Sequence, residues 1–225
     1  MCGRFALMAS AQQIAEEFEV PEPRELAPRY NIAPSQPVLA VRLRADRGRD
    51  TTHYLWGLIP SWVRDPAALA RPHINVRVET ALEKPSFRTP TRRRRCLIPA
   101  SGFFEWTKGG RGRQPWFIHP PDAPLWAFAG IWEPWSGPNG EELETCAILT
   151  TEANSAMAQL HERMPLVVPR SLYAAWLDPA TEAVGLLNDV RAHTRDLPLQ
   201  MHPVSPAVNK PTFDAPECIA PVELG

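Results

Sequence analysis

Short runs of alternating apolar and polar residues dominate the middle of the chain, broken by Gly, Pro and Asn. That period-two pattern predicts strands joined by tight turns. "VLAVRLR" (38–44) and "THYLWGLIP" (52–60) flank a polar, Gly-containing turn. "CLIPASGFFEWTK" (96–108) and "QPWFIH" (114–119) flank "GGRGR", and "LWAFAGIWEPW" (125–135) and "ELETCAILT" (142–150) flank "SGPNGE". Each pair reads as a hairpin. The pattern turns helical near both ends. In "SAQQIAEEF" (10–18) Ser10 caps, Gln13 completes a capping box, and Ile14 and Phe18 lie one turn apart. "TEANSAMAQLHERM" (151–164) puts Ala153, Met157 and Leu160 on one helical face, and two further short helices are expected from Ser171 and Thr181. "LPLQMHPVS" (197–205) is expected to rejoin the sheet. The prediction is an α+β fold with a mostly antiparallel, barrel-like sheet and flanking short helices.

With 225 residues and no repeat, low-complexity tract or linker, one domain over 1–225 is expected, its core about 2–210. The 26 prolines are scattered, which suits many short elements joined by rigid turns. No apolar run is long enough to span a bilayer and no leader is evident, so a cytoplasmic chain with no membrane partner is expected, nucleoid-associated if it meets DNA. None of the four cysteines stands in a C-x-x-C pair and the six histidines lack ligand spacing, so neither a metal nor another cofactor is expected. Net charge is only −1, but its distribution is uneven. Acids crowd 16–25, while "RRRR" at 92–95 follows Arg88, Arg77 and Arg71. The run reads either as a basic face for a polyanion or as a solvated loop.

Four polar residues stand where an unpaired polar group is costly. Cys2 follows the initiator methionine, which is generally trimmed before a small residue. Trimming gives Cys2 both an α-amine, ordinarily near pKa 7.7–8.0, and a thiol near 8.5. The plainer reading is a small residue that buries easily at the start of a strand. Asn75 lies in "INVRVET", where an extended chain directs Asn75, Arg77 and Glu79 to one face. Glu105, between Phe104 and Trp106, is placed for burial that raises a carboxyl pKa and suits a general acid or base. His161 ends the 151–164 helix as a proton donor near neutrality. Plainer roles exist for each: Asn75 tying down a loop, Glu105 facing water, His161 as a helix-terminal cation. Trp62, Trp106 and Trp132 read as core or as stacking platforms.

"MCGRF", "YNIAPSQ", "WGLIPSW", "INVRVET", "RRCLIPASGFFEW", "AGIWE" and "HERMP" occur in this order and are joined by "VSPAVNKP" near Asn209. Together they closely resemble the SOS-response-associated peptidase (SRAP) family, whose members act on abasic sites in single-stranded DNA. The resemblance covers nearly the whole chain. It implies an α+β domain with a barrel-like core and a basic channel for single-stranded DNA. It also implies Cys2 as nucleophile, with Asn75, Glu105 and His161 beside it. Arg4, Arg77 and Arg163 match arginines expected at the DNA, Trp62 and Trp106 match tryptophans near the nucleotide, and Asn31 and Pro34 of "YNIAPSQ" fall among the DNA-binding positions. Val76 and Val78 depart from the smaller residues expected there, but should face away from Asn75 and Arg77.

The chemistry so implied is a covalent crosslink. His161 and Glu105 promote opening of the abasic sugar, the Cys2 amine forms an imine with the aldehyde, and the thiol closes a thiazolidine. The expected partner is single-stranded DNA containing an abasic site, bound by a monomer. Two alternatives remain open: an N-terminal cysteine peptidase or amidohydrolase, and a non-covalent single-strand or RNA-binding module.

Overall fold

The computed structural model describes residues 2–65, 72–107 and 113–224. The predicted hairpins form. Strands β3 (Pro37–Leu43) and β4 (Arg49–Trp56) pair antiparallel, as do β9 (Trp126–Ser136) and β10 (Glu142–Glu152). β6 (Arg95–Ala100) bridges β3 and β9. β10 then pairs parallel with β4 through Thr145–Leu55 and Cys146–Trp56, which closes a five-stranded barrel. Tyr54, Trp56, Ile98, Phe128 and Cys146 are all fully buried in its core. Burying side chains such as these is worth roughly 1.5–3 kcal/mol each.

A second sheet runs in the order β12 (Gln200–Pro203), β8 (Pro115–His119), β7 (Gly102–Trp106), β1 (Phe5–Leu7), β2 (Arg29–Ile32). The chain passes from barrel to sheet at Ser101, whose Oγ accepts from Met8 N (2.9 Å). Gly102 is required there, because a Cβ would overlap the Phe117 ring and the Ile118 carbonyl. One face of this sheet joins the barrel core: the Phe5 ring meets Trp56 edge-on at 5.2 Å. The other face, with Ala6, Phe104 and Phe117, is covered by Val204, Val208 and Cys218 of the C-terminal segment. Residue 105 shares the barrel-facing side of β7 with Phe103, by the alternation of side chains along a strand.

α1 (Ala11–Phe18) carries both reciprocal hydrogen bonds of the Ser10–Gln13 capping box, and Ile14 and Phe18 are its buried residues. The 151–164 helix does not form. β10 continues to Glu152 because Thr150, Thr151 and Glu152 pair with Pro165, Met164 and Arg163 of β11 (Arg163–Pro165). Only a 3-10 turn, Met157–Gln159, remains, begun by Asn154 Oδ1 accepting from Met157 N at 3.0 Å. Non-local pairing has overridden a weak local preference. β5 (Asn75–Arg77) is shorter than "INVRVET" suggests, since a 3-10 turn at Val78–Thr80 removes Glu79 from the strand. Val76 and Val78 are buried while Arg77 is exposed, as the sequence requires.

α2 (Pro85–Arg93) forms where the sequence shows a charge run between prolines; Pro85 opens it and Pro90 lies inside it. The helix from Ser171 is short, a 3-10 turn at Arg170–Leu172 running into α3 (Tyr173–Leu177). α4 (Ala183–Arg195) is capped by Glu182 rather than Thr181, the carboxylate accepting from Val184 N and Gly185 N at 2.8 Å each. No helix among the described residues is long and apolar enough to cross a membrane. The "GGRGR" turn, apart from Arg113, and Arg71 lie outside the described residues.

Candidate active site around Cys2

Cys2 is fully buried where β1, β5 and β7 converge. Its main-chain carbonyl accepts from Asn75 Nδ2 at 2.7 Å, and its thiol donates to the Arg4 carbonyl at 3.6 Å. The same Arg4 carbonyl accepts from Phe104 N at 2.9 Å, which anchors the start of the chain to β7. Asn75 is held by the parallel pairing of β5 with Ile148–Thr150 of β10. Its Oδ1 is buried without a hydrogen-bond partner among the described residues. Glu105 is 4% exposed, so it does not face water. Burial pushes the Cys2 thiol far above its ordinary range, and the nearby Glu105 carboxylate pushes it further. A thiol in this setting stays protonated at neutral pH.

His161 lies beyond the 3-10 turn rather than at a helix end. Its Nδ1 accepts from Arg163 N at 2.9 Å. The Arg163 guanidinium is buried and directed inward. Nη1 and Nη2 donate to the two Glu79 oxygens at 2.9 Å each, and Nη2 also donates to Thr150 O at 2.6 Å. Burial is the largest single influence and raises the Glu79 pKa, but the Arg163 hydrogen bonds, a main-chain hydrogen bond and the Arg163 and Arg191 charges together leave Glu79 below the usual carboxylate value. Arg77 is exposed and lines a groove of about 500 Å³ with Glu152, Ala158, Glu162 and Arg163.

The sequence profile of the SOS response associated peptidase (SRAP) matches residues 1–211. The chain belongs to the SRAP family. It is 37% identical over 224 residues to the abasic site processing protein YoqW of Bacillus subtilis (strain 168), covering 97% of this chain and 99% of that protein. It is 32% identical over 244 residues to the abasic site processing protein HMCES of Rattus norvegicus, covering 90% of this chain and 67% of the relative. A protein from Bacteroides thetaiotaomicron shares its fold with a TM-score of 0.84 at 24% identity, covering 99% of this chain and all 100% of the other. A phage-related protein from Bordetella bronchiseptica aligns with a TM-score of 0.72 at 30% identity, over 90% and 94% of the two chains.

In this SRAP chain the site residues named from sequence fall into separate groups. Cys2, Asn75 and Glu105 meet. Arg4, Asn31 and Trp106 instead gather on the C-terminal segment. Arg4 Nη1 donates to Val208 O (2.8 Å) and Asn31 Oδ1 (3.1 Å), and Trp106 Nε1 donates to Asn209 Oδ1 (2.7 Å). Asn31 is fully buried, with Nδ2 donating to the carbonyls of Val208, Lys210 and Phe213. Asn31, expected among the DNA-binding positions, has no exposed surface in this structure, and its hydrogen bonds hold the 208–213 loop. Asp214, which no motif marked, fixes the same loop by accepting from Arg29 Nε, Tyr30 N and Asn31 N. Pro34 is half-buried in a turn closed by Gln36 N donating to Ala33 O, with Ser35 at φ 65°.

Of the tryptophans, Trp62 is 66% exposed, in a separate groove beside α2, Trp106 is half-buried, and Trp132 stacks on buried Tyr54 at 5.3 Å. The arginine run is neither a uniform basic face nor a loop. Arg92 and Arg93 are exposed near the end of α2. Arg94 donates to Glu133 Oε2 from both Nε (2.9 Å) and Nη2 (2.5 Å). Arg95 is 3% exposed and ties α2 to α3 by donating to Thr91 O, Arg92 O, Trp176 O and Asp178 O.

Proposed function

We propose that the mature chain, with Met1 removed, captures the aldehyde of an abasic site in single-stranded DNA as a thiazolidine on Cys2. The SRAP relatives named abasic site processing proteins support the substrate class. The observation that carries the chemistry is the setting of Cys2: its main chain is held by Asn75 while its thiol is buried and kept protonated. An amine ordinarily near pKa 7.7–8.0 has an appreciable unprotonated fraction at neutral pH, so it attacks the aldehyde carbon first. Water leaves and an imine forms. The sulfur then adds to the imine carbon while its proton passes to the nitrogen, closing the ring. The net reaction releases one water. Ring closure is intramolecular, which favours it strongly over imine hydrolysis.

Glu105 shuttles protons at the amine, imine and sulfur, and His161 serves the sugar oxygen as the hemiacetal opens. Arg77 pairs with a phosphate, and Trp62 and Trp106 stack on bases that single-stranded DNA already leaves splayed. A cysteine peptidase needs a thiolate, activated by a neighbouring base or a depressed pKa. The burial of Cys2 works the other way, and its thiol donates to a carbonyl.

The test is Cys2→Ser with an abasic single strand on a denaturing gel. The variant is expected to lose the heat-stable adduct and keep a borohydride-trappable imine. An equal heat-stable adduct would contradict ring closure. Binding by the parent chain without any covalent product would favour the non-covalent module.

A further inference from the structure

We propose that Glu79 is a positioning residue for His161, acting through Arg163. The inference rests on the role given to His161 above. His161 occupies a short connection between a 3-10 turn and the three-residue β11, which offers little regular structure to orient a ring. Arg163 holds it at Nδ1, which lies 2.9 Å from the Arg163 N–H and 3.2 Å from the Arg163 carbonyl, and the shorter contact makes Nδ1 an acceptor. A ring nitrogen that accepts carries its lone pair toward the donor, so the neutral imidazole keeps its proton on Nε2. That tautomer presents a donor at Nε2 to a sugar oxygen, whereas the other would exchange the 2.9 Å bond from the Arg163 N–H for a longer 3.2 Å one to the Arg163 carbonyl.

The Arg163 main chain needs its own anchor. Pairing with Glu152 is one, and the side chain supplies the rest. The bidentate contact with Glu79 and the bond to Thr150 O lock a guanidinium that is 7% exposed. Bidentate, charge-assisted pairs are geometrically demanding, and removing one partner of a buried pair is strongly disruptive. Five N–H groups are available on an arginine. One Nη1 hydrogen and both Nη2 hydrogens are engaged, and Nε is buried without a partner among the described residues. A single Nη1 hydrogen remains for a phosphate, so Arg163 acts mainly inside the protein.

Glu79 reaches this place because the turn at Val78–Thr80 takes it off the strand. One short segment therefore serves the site three times: Asn75 holds Cys2, Arg77 lines the groove, and Glu79 clamps Arg163.

The direct readout is the ¹⁵N spectrum of the His161 imidazole without DNA, at a pH where the ring is neutral. The parent is expected to show the Nε2–H tautomer alone. Glu79→Ala should show both tautomers averaged, and Glu79→Gln, which keeps one acceptor oxygen, should fall between. At saturating abasic strand, Glu79→Ala should slow crosslinking by about tenfold to a hundredfold, the range a small misplacement of a reacting group produces. Its affinity for an intact single strand should change by less than about twofold, because no phosphate contact is lost. An Nδ1–H or mixed tautomer in the parent overturns the proposal, even if the Glu79 variants fail to fold. So does an unchanged tautomer in Glu79→Ala, or weaker intact-strand binding with a flatter salt slope. If the parent never crosslinks, the proposed function falls, while the tautomer still decides the role of Glu79.

Discussion

Asn75 Nδ2 donates to the Cys2 carbonyl at 2.7 Å, joining residues 73 positions apart. The bond fixes the chain end beyond β1, and Asn75 Oδ1 is left as a buried acceptor beside it. Asn75→Ala is expected to slow crosslinking at least about tenfold, because the amine then samples directions that miss the aldehyde. Loss of the buried bond should also cost about 1–3 kcal/mol. That lowers the melting temperature by roughly 2–4 °C per kcal/mol in a chain of this size. Single-turnover rates and a thermal melt check both, and a parental rate would remove Asn75 from the site.

Glu105→Gln keeps the shape of a buried side chain that touches the Cys2 environment but cannot cycle a proton. Formation of the crosslink and its exchange onto competing abasic DNA should both slow, with the fold intact. Time courses in the two directions measure this. Parental rates in both would make Glu105 a structural acid.

Arg77 and Arg92 are both exposed, but only Arg77 lines the groove at the β5–β10–β11 edge. Arg77→Ala should weaken single-strand binding and flatten its salt dependence by about one unit of slope. Arg92→Ala should do less. Arg95→Ala should instead lower stability, since it strands the carbonyls that tie α2 to α3. Matching salt titrations for Arg77→Ala and Arg92→Ala would misplace the channel.

Burial raises the pKa values of Cys96, Cys146, Tyr54 and Tyr173 above their ordinary values near 9.0 and 10.0. The folded state keeps these protons while the unfolded chain releases them, so stability falls as pH rises above about 9. Each group contributes at most about 1.4 kcal/mol per pH unit. Denaturant unfolding at pH 7, 9 and 10.5 should show a steepening loss; a flat profile would contradict the burial.

The three hairpins and the α1 capping box are legible in the sequence because their signals are local: alternation, Gly- and Asn-containing turns, and Ser10 three residues before Gln13. Barrel closure is not, since the parallel pairing of Thr145 and Cys146 with Leu55 and Trp56 joins strands about ninety residues apart, with no turn to announce it. The same distance hides β11, and a true apolar spacing at Ala153, Met157 and Leu160 then reads as a helix. The grouping of Cys2, Asn75 and Glu105 is legible by motif. The partners of Arg4 and Arg163 are not: Val208 and Glu79 lie 204 and 84 residues away. The fold thus gives both guanidiniums internal partners that no motif announces.

The most direct test of the central claim is the intact mass of the product formed with an abasic single-stranded oligonucleotide. One covalent adduct per chain is expected, weighing the chain without Met1 plus the oligonucleotide minus one water, with the modified residue at Cys2. An adduct that retains Met1, or one attached at another residue, would contradict it.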